Sequence, residues 1–211
     1  LKAVYSMAEP TVNELTDKFW ITINDIGVKI EELETILDDD TLKRELQKAS
    51  EENLVKIKND RFYIMDKGRE KFKVVLTGGA YDLIHRGHLE TLEAASALGD
   101  FLIVVVATDI TVGKRKRKAI HSEKDRKRIL NELKIVDAAI IGDEIDHMKV
   151  VRRLKPDIVA LGADQDHVKD KIKIQMKEQG LSKTIIKRLS VDYEGLATTK
   201  VIDEILARDW Q

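Results

Sequence analysis

Two histidines, His85 and His88, stand three residues apart, shortly after a pair of glycines that ends an apolar run. Imidazole N–H groups can donate hydrogen bonds to phosphate oxygens, most strongly as negative charge builds in a transition state. If a helix begins here, this spacing puts both rings on one side of its first turn. Free backbone N–H groups and the helix dipole favour phosphate at that position. The pattern therefore predicts a phosphate-handling site.

A zinc site is one competing interpretation of the histidine pair. Two zinc-binding histidines on one helix are usually four residues apart, the chain contains no cysteine, and no third ligand stands near the pair. Chance proximity or simple helix capping is another interpretation. The order of strand, double glycine, histidine pair and helix argues against it. We expect no metal ligands in this motif.

The elements that must position the pair follow from the hydrophobic pattern after residue 70. Five short apolar runs rich in β-branched residues alternate with helix-like stretches, which predicts an α/β fold with a parallel sheet covered on both faces. Such sheets bind ligands beyond the carboxyl ends of their strands. The predicted strands are 73–77, 101–108, 136–141, 157–161 and 184–189, and the predicted helices are 87–98, 122–133, 145–154, 168–179 and 198–207.

The first 70 residues follow a different pattern and predict a small α+β domain. Helix signals at 12–19 and 41–51 precede two alternating runs, 54–58 and 61–64, around the turn Asn59-Asp60. Alternation around such a turn predicts a β-hairpin. The order resembles a winged-helix domain whose wing is the hairpin. We therefore expect a winged-helix-like domain at 1–70 and an α/β domain at 71–211.

Charge is distributed unevenly between these segments. The 211 residues carry a net charge of −1, but residues 1–70 hold 11 basic and 16 acidic side chains, whereas residues 71–211 hold 26 and 22. The second segment is thus the one suited to a polyanionic ligand. The absence of cysteine excludes disulfides and fits a reducing compartment, and no apolar run is long enough to span a membrane. We expect a cytoplasmic protein.

Residues 79–88, GAYDLIHRGH, resemble the signature of the cytidylyltransferase-like family of HxGH nucleotidyltransferases. Further segments are similar in the same order and at the family's spacing. They are Asp109 with the basic run 114–118, His121-Ser122 with Arg126, the segment 134–137, the segment 162–165 and the segment 194–200. Several collinear segments indicate membership of the family, which implies a Rossmann-like parallel sheet.

The resemblance implies that an acceptor phosphate attacks the α-phosphorus of a nucleoside triphosphate in line, and that pyrophosphate leaves. Mg²⁺ accompanies the nucleotide, and no covalent intermediate forms, so catalysis is positioning and charge stabilisation. Carried over residue by residue, the catalytic roles go to His85, His88, Arg117 and Lys134. The nucleotide-binding roles go to Gly79, Ala80, Tyr81, Asp82, Arg115, Arg126, Asp164, Thr198 and Thr199.

Two segments favour different substrates within the family. Residues 162–165 and the run 154–179 are similar to archaeal-type FAD synthases, which transfer AMP from ATP to FMN. The segment 194–200 is closer to the glycerol-3-phosphate cytidylyltransferases. We predict an FAD synthase first, with a cytidylyltransferase acting on glycerol 3-phosphate or a sugar phosphate as the alternative. The expected partners are ATP or CTP and a phosphorylated small-molecule acceptor, and the family also implies a homodimer.

A nucleotide-sensing, DNA-binding regulator is a hypothesis of a different class, because winged-helix domains can place a helix in the major groove. The candidate recognition helix at 41–51 directly follows three aspartates, and the whole domain is acidic. DNA binding normally needs a basic face. We therefore expect the first domain to mediate protein contacts and the chain not to bind nucleic acid.

Overall fold

A computed structural model describes residues 28–29, 44, 47–58, 61–115, 118–162, 166–190 and 198–208. The chain divides into two compact units, Leu1–Phe72 and Lys73–Gln211. Each unit contains its own sheet, antiparallel in the first and parallel in the second. Among the residues described, no helix combines the length and the apolar character needed to cross a membrane.

The first unit contains a three-stranded sheet in the order β1 (Val28–Lys29), β3 (Arg61–Ile64), β2 (Val55–Lys58). Strands β2 and β3 are antiparallel, with Val55 opposite Ile64, which confirms the predicted hairpin. The sequence pattern does not predict β1, because two residues carry no alternation. A short helix, α1 (Asp66–Arg69), follows the hairpin.

Helix α1 packs closely on the chain that enters β2. The backbone N–H of Met65 donates to the carbonyl of Leu54 at 2.9 Å. A Cβ at Gly68 would lie only 2.2 Å from that same carbonyl oxygen, so no side chain fits at this position.

The winged-helix assignment of this unit stays a prediction. The predicted helix 12–19 lies outside the described residues. Of the predicted helix 41–51, Arg44 and residues 47–51 are described, and they are helical.

The second unit is a five-stranded sheet in the order β6-β5-β4-β7-β8, with every neighbouring pair parallel. The chain builds outward from β4 in one direction and then reverses to β7, as in doubly wound Rossmann-like folds. All five predicted strands are confirmed. Their bounds are β4 (Val74–Gly79), β5 (Phe101–Val106), β6 (Ala138–Ile141), β7 (Ile158–Leu161) and β8 (Ile185–Arg188).

Six helices lie in the described part of this unit, and five of them match predicted stretches. The helices are α2 (Arg86–Ser96), α3 (Asp109–Arg115), α4 (Glu123–Asn131), α5 (Lys149–Leu154), α6 (Asp166–Glu178) and α7 (Thr198–Ala207). Helix α3 is the exception, since Lys114 and Arg115 end a helix where a basic loop was expected. Helix α5 begins four residues later than predicted, because the Asp143 carboxylate accepts the N–H groups of Ile145 and Asp146 at 3.0 and 2.9 Å and holds them in a turn.

Both faces of the sheet are buried at β4 and β5, whereas β8 is largely exposed. Val75, Leu102 and Val104 pack in one cluster with Leu92 of α2 and Leu130 of α4. Successive residues of a strand point to opposite faces. The intervening strand residues are equally inaccessible on the other face, namely Val74, Phe101 and Ile103. The burial of both faces confirms the covered parallel sheet that the sequence predicts.

Candidate active site

The turn from β4 into α2 places the candidate site at the carboxyl ends of the parallel strands. Gly79 ends β4, and His85 is the residue that precedes the first turn of α2. Between them, Tyr81 has a left-handed backbone (φ 52°), which normally disfavours a residue with a side chain. The Tyr81 ring is only 4% exposed, and its burial holds this conformation in place.

Gly79 is required by this turn for a reason that the sequence does not reveal. A Cβ at position 79 would lie 2.9 Å from Cε2 of the Tyr81 ring. The absence of a side chain therefore makes room for the tyrosine ring.

His85 and His88 lie together, as predicted. Their rings stack with a centroid distance of 3.9 Å and an interplanar angle of 29°. The Tyr81 ring lies beside His88, with 5.3 Å between centroids. The His88 N–H donates to the His85 carbonyl at 2.9 Å, which closes the first turn of α2 and fixes the spacing of the two rings. The two imidazoles therefore stand at the positive end of a helix dipole.

Burial lowers the pKa of His85, because the charged imidazolium loses water. Two positive charges in rings 3.9 Å apart would also repel each other. A neutral imidazole keeps one N–H donor and one acceptor nitrogen. The Nδ1 atom of His85 is buried and has no hydrogen-bond partner among the described residues. A buried polar atom of this kind is suited to a bound ligand or a water molecule.

Arg126 is at the site, but its side chain is turned inward. Its relative exposure is 0%, and its guanidinium donates to three groups. These are the carbonyl of Ala80, the carbonyl of His121 at 3.1 Å and the carboxylate of Asp109 at 2.7 Å. The structure therefore does not provide the nucleotide contact expected of Arg126, because its guanidinium is fully buried and bonded within the protein.

Asp82 is likewise occupied within the protein. Its carboxylate, 2% exposed, accepts the backbone N–H of Ile120 at 3.0 Å and that of His121 at 2.9 Å. The His121 ring also contacts the Asp82 carbonyl, with Nδ1 2.7 Å from the oxygen. Asp82 thus fastens the chain that leads into α4 to the turn before His85, instead of facing a nucleotide.

Lys134 does not lie near the histidine pair. It is exposed and lies before β6, where the neighbouring Asp137 carboxylate accepts the N–H of Leu102 near the start of β5 at 2.7 Å. His85 follows the carboxyl end of β4, and these strands run parallel. Lys134 therefore lies at the amino ends of the strands and His85 at their carboxyl ends. The catalytic role expected of Lys134 has no support in the fold.

Five other predicted residues are only partly placed or not placed. Thr198 is half-buried and Thr199 is exposed in the first turn of α7, and the chain between β8 and that helix, 191–197, lies outside the described residues. Arg117 and Asp164 also lie outside them, and of Arg115 only its place at the end of α3 is described.

A resident metal site is not formed by the part of the chain that the structure describes. It contains no group of three or more His, Cys, Asp or Glu side chains that could hold an ion. The carboxylates on segments flanking the histidine pair, Asp82 and Asp109, accept from backbone N–H groups and from Arg126 respectively.

Comparison with known proteins gives consistent results for this region. Residues 76–204 match the family model described as cytidylyltransferase-like. The FAD synthase of Ferroglobus placidus is 38% identical over 135 residues, covering 64% of this chain and 88% of that protein. The FAD synthase of Pyrococcus horikoshii is 43% identical over 136 residues, covering 62% and 90%. The crystal structure of a lipopolysaccharide core biosynthesis protein from Thermoplasma volcanium is 38% identical, covers 56% of this chain and 97% of that one, and superposes with a TM-score of 0.54.

The matched region contains the parallel sheet except for the first two residues of β4, together with the turn 79–88 and the stacked histidines. With a family model covering more than half of the chain, and with relatives matched over most of their length, the chain belongs to the cytidylyltransferase-like family and is a nucleotidyltransferase.

Proposed function

We propose that this protein is an FAD synthase, which transfers AMP from ATP to the phosphate of FMN and releases pyrophosphate. The observation that carries the proposal is the stacked pair of His85 and His88 at the start of α2, within a region 38–43% identical to named FAD synthases. These relatives are matched over 88–90% of their length, so the similarity extends well beyond the motif.

The reaction needs positioned hydrogen-bond donors and no protein nucleophile. An oxygen of the FMN phosphate attacks the α-phosphorus of ATP, and the bond to the pyrophosphate oxygen breaks. His85 and His88 donate hydrogen bonds to phosphate oxygens on which negative charge accumulates, at the positive end of the α2 dipole. The backbone at Gly79, at the end of β4, lies beside the bound triphosphate.

Mg²⁺ is part of the proposal, as an ion that arrives with the nucleotide. Magnesium prefers oxygen ligands, is commonly held by substrate phosphates, and keeps several waters. Asp82 and Asp109 already accept hydrogen bonds within the protein, so the triphosphate oxygens supply its main ligands. The metal neutralises phosphate charge, while the protein contributes the histidine donors.

A cytidylyltransferase acting on a sugar phosphate or on glycerol 3-phosphate is the second candidate. The family description and the segment 194–200 favour it. Both candidates place the same demands on His85 and His88, so the nucleotide and the acceptor distinguish them. The homodimer, the cytoplasmic location and the protein-contact role of the first unit stay predictions.

The test is pyrophosphate release in the presence of Mg²⁺, with ATP and CTP each offered to FMN, glycerol 3-phosphate and a set of sugar phosphates. His85→Ala serves as the active-site variant. His147→Ala is the matched control, since His147 is an exposed histidine outside the family signature. Turnover of ATP with FMN that is lost only in His85→Ala supports an FAD synthase. Turnover with CTP alone reassigns the enzyme, and inactivity with every pair refutes both candidates.

A further inference from the structure

A charged side chain in the core needs an explanation. Arg126 is the largest fully buried side chain among the described residues. Burying a guanidinium is costly unless its donors are paired, and it contributes little to stability that apolar residues could not supply. Its position is therefore better explained by what its fork-shaped donors hold together.

The three partners of Arg126 belong to three separate segments. Ala80 lies in the turn after β4, Asp109 begins α3, and His121 precedes α4. The guanidinium thus joins the turn that leads to His85 with both ends of segment 109–121. That segment follows β5 and carries the basic run.

Asp82 makes a second set of bonds between the same two regions. Both of its carboxylate oxygens accept the N–H of Ile120 at 3.0 Å, and one also accepts the N–H of His121 at 2.9 Å. A carboxylate that is 2% exposed and accepts backbone N–H groups holds them in a narrow range of positions. Asp82 is three residues from His85, so the bonds act directly on the chain that presents that ring.

We propose that Arg126 and Asp82 are positioning residues that, with Asp109 and His121, fix the turn 79–85 against segment 109–121. We call these four residues the brace. The brace holds His85 and His88 at the place where the reacting phosphate is bound, and it does not touch the nucleotide. The expected loss of turnover rests on the proposed function. The expected change in the surroundings of His85 does not depend on the substrate.

The kinetic test is Arg126→Lys, which keeps the charge but removes the fork. We expect kcat to fall at least about tenfold, since a misplacement of about 1 Å can cost roughly 100-fold, with the KM for ATP changed by less than about threefold. Arg128→Lys, an exposed arginine on the same helix, is the matched control and should leave both constants unchanged. A large rise in KM with unchanged kcat would instead mean that Arg126 binds the nucleotide directly. A lower melting temperature with unchanged kcat would mean that Arg126 only stabilises the core, which would overturn the proposal.

A second variant keeps the proposal testable if Arg126→Lys does not fold. Asp109 is 47% exposed, so Asp109→Asn removes one charged partner with little disturbance of the core. We expect an intermediate loss of kcat, and the double variant should lose less than the product of the two single effects. If the two losses of kcat multiply in the double variant, the two residues act independently, and the proposal is overturned.

The substrate-independent test is the NMR titration of the imidazole rings in the full chain, with His85 assigned from the spectrum of His85→Gln. If the brace sets the burial of His85, Arg126→Lys and Asp109→Asn should move its pKa back toward the ordinary value, whereas Arg128→Lys should not. An unchanged His85 titration in both brace variants would overturn the inference. If the wild-type protein fails to join ATP to FMN, the proposed function is wrong, and this titration still decides on the brace.

Discussion

Replacing Gly79 with alanine should disturb His88 without contacting it. The added Cβ would lie 2.9 Å from Cε2 and 3.1 Å from Cζ of Tyr81. Carbon atoms in ordinary contact are about 3.5–4.0 Å apart, so the tyrosine ring must move by roughly half an ångström. The ring is buried and its backbone is held at φ 52°, which leaves it little freedom. His88, whose ring centroid lies 5.3 Å from that of Tyr81, must adjust with it.

The size of the effect follows from packing. Inserting a carbon into a well-packed site costs about 1–3 kcal/mol. Replacing glycine in a strand with alanine returns roughly 0.5–1 kcal/mol of backbone entropy. The net loss is about 1–2 kcal/mol, which lowers Tm by about 2–8 °C for a protein of this size. Displacing one of two aligned donors by a fraction of an ångström should lower kcat by about tenfold.

Gly78→Ala is the matched control, because a Cβ there would meet the Val105 carbonyl oxygen at 3.4 Å and Val105 Cβ at 3.6 Å, which are ordinary contacts. Thermal unfolding by circular dichroism and initial rates of pyrophosphate release would be measured for both variants at saturating substrate. Equal behaviour of the two variants would refute the steric argument. A destabilised Gly79→Ala with wild-type kcat would refute the coupling between Tyr81 and His88.

His85→Ala should lower kcat by about 10²–10³-fold, as loss of one preorganised donor does, and steady-state kinetics showing only a raised KM would contradict this role. Burial lowers the pKa of His85 from its ordinary value of 6.5, so the unfolded chain binds this proton first as pH falls. Stability at this site is therefore lost as pH drops from about 6.5 toward the lower folded pKa, and melting curves should depend less on pH in His85→Ala than in the wild type. Identical pH dependence would count against a desolvated His85. Gly68→Ala should destabilise the first unit, because its Cβ would lie 2.2 Å from the Leu54 carbonyl oxygen, yet keep kcat within about twofold. A parallel loss of kcat would mean that the second unit depends on the first.

The parallel sheet and the histidine pair could be predicted because their signals are local. Each strand is a short apolar run between helices, and the spacing of His85 and His88 is read directly from the chain. Helix α3 could also have been found. Thr108 accepts the N–H of Thr111 at 3.1 Å, the pattern of an N-capping threonine, and Asp109 follows in the first turn. The basic run after it obscured that signal.

The roles of Asp82 and Arg126 could not be predicted in the same way. Their partners lie far along the chain. Asp82 and Ile120 are 38 residues apart, and Arg126 and Ala80 are 46 residues apart. An arginine on a helix has the same local pattern whether it faces solvent or the core. The family resemblance assigned both residues to nucleotide binding, and only the tertiary contacts reveal that both side chains are bonded within the protein.

The strand order has a consequence for how such an enzyme can change during evolution. The histidine pair and the brace all come from the chain that runs from the end of β4 into α4, on one side of the reversal between β4 and β7. The carboxyl ends of β7 and β8 lie at the same end of the sheet as that of β4 but belong to the other half of the chain. Substitutions in that half can therefore alter which molecule is accepted while the phosphate-handling half is inherited intact. A fold divided in this way lets one chemistry be retained as new substrates are acquired.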